Sequence, residues 1–153
     1  MTGFRSNRLG SLGISDIRTM TKECVRVGGI NMGQGVCDMP TPVPVKEAAI
    51  AAINNRESRY SYAEGTVDLR EKIATKLARD NNIIADPNSE VVVTVGSTGA
   101  FCSTMLGLLN PGDGMILFEP YYGYHLNCAA IAGVEPQFVT LKAPHFSLDE
   151  TAI

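Results

Sequence analysis

The chain has no Gly-x-x-x-x-Gly-Lys-[Ser/Thr] segment, and no Gly-x-Gly-x-x-Gly turn follows its one run of β-branched residues, so the two best-defined nucleotide-phosphate patterns are missing. Charge is also scarce. Charged residues make up 19% of the sequence, the formal net charge is −3, and no basic cluster interrupts it; both argue against nucleic acid or an anionic membrane as a partner. The four cysteines, Cys24, Cys37, Cys102 and Cys128, form no Cys-x-x-Cys pair, and the two histidines, His125 and His145, fall in no His-Glu-x-x-His segment. A zinc knuckle, a redox pair and a metal site are therefore not expected, and the cysteines read as buried free thiols. No apolar run approaches the length of a membrane span, and the opening MTGFRSNRLGSLG lacks the apolar stretch of a secretory signal. A cytoplasmic location is the expectation.

What is present is a globular composition: 153 residues, 44% apolar, without repeats or low-complexity segments, enough for one domain with a buried core. Ser15 is placed to cap a helix on which Ile17, Met20 and Cys24 recur at helical spacing, with Gly28 and Gly29 to end it. INMGQGVCDMPTPVP reads as a brief strand entering a Gly- and Pro-rich crossing loop. Pro44 opens a second helix, predicted to bury Val45, Ala48, Ala49, Ala52 and Ile53 and to stop at Asn54 and Asn55. A third helix follows the YSYAEG loop, with Leu69, Ile73 and Leu77 stacked at i+4 spacing and Arg70, Lys72 and Lys76 directed outward. From residue 91 the predicted order is strand, helix, strand (115–118), helix, strand (136–141), with LNPGD as a reversing turn. That order implies a parallel sheet with helices on its faces, and ligands in such sheets gather at the carboxyl ends of strands.

The stretch VVVTVGSTGAFCST holds the strongest local signal. Val91, Val92, Val93, Thr94 and Val95 favour an extended strand covered on both faces. Gly96 and Gly99 permit a tight turn, and from Ala100 onward Phe101, Met105, Leu108 and Leu109 fall on one side of a helix. A strand, a small-residue loop and a helix make an anion-binding arrangement: the first amides lack intrahelical acceptors, the dipole is positive there, and Ser97 and Thr98 add hydroxyl donors. On the residues alone, the loop either holds a phosphate or simply caps its helix.

Four separated stretches, INMGQGVCDMPTP, YSYAEGTVDLREKIA, VVVTVGSTGAF and LNPGDGMILFEPYYGYHLNCAAIAG, together resemble the class I and II aminotransferases, pyridoxal-phosphate enzymes of fold type I, over roughly residues 14 to 153. The resemblance implies an α/β fold, the N-terminal part of a fold type I large domain: a parallel-type sheet between flanking helices in three layers, incomplete in these residues. Residues 1–43 would be an N-terminal arm and small-domain segment, and 44–153 the first part of the large, cofactor-binding domain.

The resemblance also assigns roles. Ser97 and Thr98 match the residues that hold the phosphate of pyridoxal 5′-phosphate, although Gly99 stands where many relatives carry a polar residue. Tyr122, the second aromatic of EPYY, matches the ring that stacks on the pyridine. Tyr60, with Gly65, Leu69 and Arg70 completing its motif, matches a tyrosine that reaches the cofactor phosphate of a neighbouring subunit; on the residues alone it is a loop tyrosine that packs the third helix. Gly35, in GQGVCD, lines the substrate pocket, where the missing side chain admits a carboxylate. Tyr62 and Tyr121 are read as packing.

The reaction implied is amino-group transfer between an amino acid and a 2-oxo acid. It calls for a Schiff-base lysine, an aspartate at the pyridine nitrogen and an arginine for the substrate carboxylate. None is recognised here: Lys22, Lys46, Lys72, Lys76 and Lys142 all read as surface, so no catalytic residue is assigned. The expectation is an N-terminal fragment, inactive alone, whose full-length form is a homodimer. The alternatives are a non-catalytic cofactor-binding or interaction module derived from that fold, and an unrelated α/β phosphate-binding domain. A fragment would expose unpaired strand edges and apolar helix faces.

Overall fold

The computed structural model describes residues 6–10, 12–13, 15–55, 57, 59–149, 151 and 153. Residues 1–5, on which part of the signal-segment reading falls, lie outside the described residues. In chain order the elements are a short 3-10 turn (Asn7–Gly10), α1 (Asp16–Arg26), α2 (Val43–Asn54), α3 (Val67–Asn81), α4 (Gly96–Leu108), β1 (Gly114–Glu119), α5 (Tyr124–Ala132) and β2 (Glu135–Thr140). Backbone contacts divide the chain into two units: one joins residues 1–34 to 95–153, the other is Gly35–Thr94.

In the first unit, β1 and α5 and β2 form a βαβ unit with parallel pairing in register from Gly114 opposite Glu135 to Glu119 opposite Thr140. The ladder is extended at both ends, where the Glu135 amide donates to the Asp113 carbonyl at 2.9 Å and the Leu141 amide to the Glu119 carbonyl at 3.0 Å. Leu117 and Val139 are the buried residues of the two strands. Helices α4 and α5 pack together through Met105, Cys128, Ala129 and Ala132, which with Val134 form the core; Phe101, Cys102, Leu109 and Met115 rest against it. The alanines let the helices approach closely, and burying Met105 contributes about 2 kcal/mol. Helix α1 starts after Ser15 as predicted, although the Ser15 hydroxyl makes no cap; the Ser15 carbonyl accepts from the amides of Arg18 and Thr19 instead.

The brief strand predicted at residue 30 does not form. Ile30 and Met32 are 89% and 93% exposed, and the segment is tied to α1 by polar contacts: Asn31 Nδ2 donates to Thr21 Oγ1 at 2.9 Å, and Thr21 Oγ1 donates to Gln34 Oε1 at 3.0 Å. The strand predicted at 91–95 is corrected too: among the described residues only β1 and β2 pair, and 91–94 form no ladder. β-Branched residues bias a chain toward extension, but a strand exists only where a neighbour completes its hydrogen bonds. Here the Val93 amide donates instead to the Glu64 carbonyl at 2.9 Å.

In Gly35–Thr94, α2 has Pro44 in its first turn and ends at Asn54 with Asn55 as C-cap, as the sequence implies. Its predicted buried face is a correction: Val45 and Ile53 are more than half exposed and Ala48 and Ala49 exposed, because apolar periodicity makes a helix without supplying a surface to cover it. Helix α3 also departs from its predicted phase. Arg70, expected outside, is 5% exposed, and Leu69, expected inside, is half-exposed. The covered stripe runs through 70, 73, 74, 77 and 78, one residue round from the predicted one. Arg70 can go in because Nη1 donates to the Pro87 carbonyl and Nη2 lies 3.9 Å from Glu64 Oε1; a buried guanidinium is tolerated when it is paired. Gly65 makes room nearby: its φ is +98°, and a Cβ there would lie 2.5 Å from Val93 Cγ2. Tyr62, read as packing, is exposed.

Of the thiols read as buried, Cys128 is, Cys24 and Cys102 are half-buried, and Cys37 is exposed on the Gly/Pro-rich segment.

Candidate functional site

Helix α4 begins at Gly96, not at Ala100, so Ser97 and Thr98 stand in its first turn and not in a loop before it. Gly96 makes that start possible. Its φ is +67° with open space around it, so the backbone conformation and not crowding demands glycine. The N-cap, Val95, has no side-chain acceptor and makes no cap hydrogen bond, and the first turn contains no acidic residue. Ser97 and Thr98 therefore occupy positions whose amides have no intrahelical acceptor, at the positive end of the helix dipole. Gly99 is the fourth helical residue, where the amide is used within the helix.

Tyr122 sits in the turn between β1 and α5, just past the carboxyl end of a parallel strand. Ser97, Thr98 and Tyr122 line a single cavity of about 180 Å³. Phe101, Tyr124, His125 and Cys128 complete the lining, and sequence reasoning missed all four as site residues. Spacing held a signal for two of them: Phe101 follows Ser97 by four residues on α4, hence the same face, and His125 follows Tyr122 by three.

The rings are ordered among themselves. Phe101 and His125 stack with centroids 4.1 Å apart and an interplanar angle of 24°. Tyr122 meets His125 edge-on at 5.7 Å and 82° and Tyr124 at 5.1 Å and 48°. The Tyr124 hydroxyl accepts from Arg18 Nε at 2.9 Å, which ties α1 to this wall. Tyr121 turns the other way and packs on Phe138, centroids 5.4 Å apart, as its reading as packing implied. Burial, followed by the neighbouring Cys102, pushes the Cys128 thiol up, so the cavity floor carries no thiolate. Tyr122 itself is 45% exposed, which leaves part of its ring open to a flat partner. Tyr122 also lines a second cavity of about 530 Å³ with Gly13, Ser15, Asp16, Ile17 and Tyr121 among others.

The donor set fits a phosphate joined to an aromatic ring: amides at 97 and 98 that have no acceptor within the helix, two hydroxyls, no carboxylate in the first turn, and an accessible tyrosine face along the same cavity. The other two predicted residues belong to Gly35–Thr94. Tyr60 is fully exposed, at 107%, and Gly35 is exposed, with no described atom within 4 Å of the position a Cβ would take. Lys22, Lys46, Lys72, Lys76 and Lys142 are all exposed, and none lines the 180 Å³ cavity.

Comparison with known proteins bears on the same residues. The sequence matches the family described as aminotransferase class I and II over residues 27–153. It is 35% identical over 136 residues to the "Probable N-succinyldiaminopimelate aminotransferase DapC" of Mycobacterium tuberculosis, a match covering 88% of this chain and 34% of that protein. It is 33% identical over 132 residues to the aspartate aminotransferase of Pyrococcus abyssi, covering 86% of this chain and 34% of the relative. The solved structure of N-succinyldiaminopimelate aminotransferase from Mycobacterium tuberculosis superposes with a TM-score of 0.89 at 33% identity, over 97% of this chain and 39% of that one. The chain thus spans about a third of the length of the curated relatives it matches. The strand-to-helix start, the tyrosine beyond β1 and a match running from residue 27 to residue 153 have one common explanation: this chain belongs to the class I and II aminotransferases and holds part of their α/β fold.

Proposed function

We propose that the chain is part of a pyridoxal-phosphate-dependent aminotransferase that moves an amino group between an amino acid and a 2-oxo acid, with Ser97 and Thr98 holding the cofactor phosphate and Tyr122 lying against the pyridine ring. The observation that carries this reading is the convergence of those three residues on one cavity at the start of α4. Bound there, the cofactor would supply an electron sink for the amino-group exchange. The chain's part is binding and orientation. Amides and hydroxyls at 97 and 98 would donate hydrogen bonds to a doubly charged phosphate, each such bond contributing about 1.5–3 kcal/mol. The Tyr122 face would set the plane of the ring, with Phe101 and Cys128 as apolar lining of the same cavity.

The exposed Tyr60 supports an assignment in which its hydroxyl serves the cofactor phosphate of a second subunit, and hence a homodimer. Gly35 is assigned to the substrate carboxylate, residues 1–43 to an arm and small-domain segment, and 44–153 to the first part of the large domain. The compartment assigned is the cytoplasm; among the described residues no helix is long and apolar enough to cross a membrane. No lysine among the described residues lines the cavity, so no Schiff-base lysine is assigned within these residues and no turnover is expected from them alone. The same observation favours a second reading, a module that holds the cofactor without reacting.

Titration with pyridoxal 5′-phosphate and with inorganic phosphate tests the site. The double variant S97A/T98A should lose at least about tenfold in affinity for both. Equal affinity in the variant would remove the phosphate assignment. Amino-group transfer by the 153-residue chain itself would exclude the non-catalytic module and the expectation of inactivity.

A further inference from the structure

We infer that His125 is a positioning residue that sets the plane of the Tyr122 ring, with Phe101 as its backing; this rests on the reading of Ser97, Thr98 and Tyr122 as a cofactor site.

Tyr122 leaves a turn, not a strand or helix, so its backbone alone gives the ring little direction. Three contacts do. The His125 amide donates to the Tyr122 carbonyl at 2.9 Å, closing the turn so that side chains 122 and 125 rise together. The imidazole then meets the phenol edge-on, at 5.7 Å and 82°. On its own face, the imidazole stacks on Phe101 at 4.1 Å and 24°. Phe101 is anchored on α4 one turn after Ser97 and Thr98, against the buried cluster that includes Met105 and Cys128. The pile Phe101, His125, Tyr122 therefore runs from the helix that carries the two hydroxyls to the ring that would cover the pyridine. Tyr124, held by Arg18, meets Tyr122 as a second ring, at 5.1 Å and 48°. A phenol flanked by two rings has less freedom about χ1 and χ2 before the ligand arrives, so less entropy remains to be lost on binding.

The pile predicts a split between two ligands. Inorganic phosphate meets only the helix start, whereas pyridoxal 5′-phosphate also needs the ring plane. In His125→Ala, affinity for inorganic phosphate should stay within about twofold of the unsubstituted chain, while affinity for pyridoxal 5′-phosphate should fall roughly three- to tenfold, the worth of an aromatic edge contact. The circular dichroism induced in the bound cofactor's absorption should shrink in His125→Ala and return in His125→Phe, which keeps a flat ring between Phe101 and Tyr122. In the free chain, NMR ring-proton shifts of Tyr122 should move toward random-coil values in His125→Ala and stay near the original ones in His125→Phe, a readout independent of any cofactor. Unchanged cofactor affinity and dichroism in His125→Ala, with the unsubstituted chain binding the cofactor, would overturn the role of His125 alone. Failure of the unsubstituted chain to bind pyridoxal 5′-phosphate would overturn both this role and the site reading beneath it. Failure of His125→Phe to restore signal would overturn the aromatic argument.

Discussion

In the unit made of residues 1–34 and 95–153, Met105, Cys128, Ala129, Ala132 and Val134 meet in one apolar cluster, and one of them, Cys128, is also a wall of the cavity. In Gly35–Thr94 the buried positions among the described residues are a guanidinium, a glycine and Val91, and α2 shows most of its apolar residues to solvent. The first unit is held by packing that continues into its candidate site. The second is held by a few specific fits: Arg70 against the Pro87 carbonyl, Gly65 against Val93, and the Val93 amide on the Glu64 carbonyl. Close packing tolerates a spread of apolar substitutions, whereas a fit of this second kind depends on one side chain or on the lack of one.

The sharpest way to break the comparison is Gly65→Ala. The new methyl would sit 2.8 Å from Val93 Cβ at a φ of +98°, combining a clash with a left-handed backbone, and should cost about 4 kcal/mol. Hydrogen exchange should then rise across 60–94; if protection falls equally over 96–140, the two units are one cooperative body. Met105→Ala, at a site 3% exposed in the cluster, should cost about 3 kcal/mol through the cavity it leaves and should release protection over 96–140 first. A denaturation midpoint unchanged in that variant would mean that the cluster carries little of the unit's stability.

The smallest effect expected concerns the turn after β2. Lys142 Nζ pairs with Asp149 Oδ2 at 2.6 Å, across a bridge between Lys142 and Ser147. The Lys142 ammonium, followed by the Thr151 hydroxyl and amide, holds the Asp149 carboxyl below its ordinary value of 3.8. A carboxyl depressed in the folded state contributes stability above pH 3.8 that fades as pH falls through its lowered value. Protection of the Ser147 amide, its exchange rate taken relative to that of an unstructured chain at each pH, should therefore be flat above that pH and fall below it, and Lys142→Met should move the fall to higher pH. An acid profile that ignores residue 142 would show that the pair does not close this turn.

Several features were legible before any coordinates. Ser15, Pro44 and the Asn54-Asn55 pair bounded their helices, LNPGD turned the chain, and Ser97, Thr98 and Tyr122 marked a place where the structure does bring them together. Illegible were the lack of strand pairing at 91–95 among the described residues, the phase of α3 and the aromatic wall. The run VVVTV is extended in bias only, and no neighbour among the described residues completes it. An arginine on a helix reads as outward-facing until a carbonyl such as that of Pro87 is found at its tip.

What the sequence by itself determined was therefore local: where helices begin and end, where the chain turns, and which hydroxyls stand at a helix start, because capping, backbone preference and periodicity act between residues a few positions apart. The register of β1 on β2, burial of Arg70 and the stacking of His125 on Phe101 were decided only by the tertiary structure. Each needs a partner far along the chain, and a hydrogen bond or a ring contact has no free energy to contribute until folding has put that partner within reach.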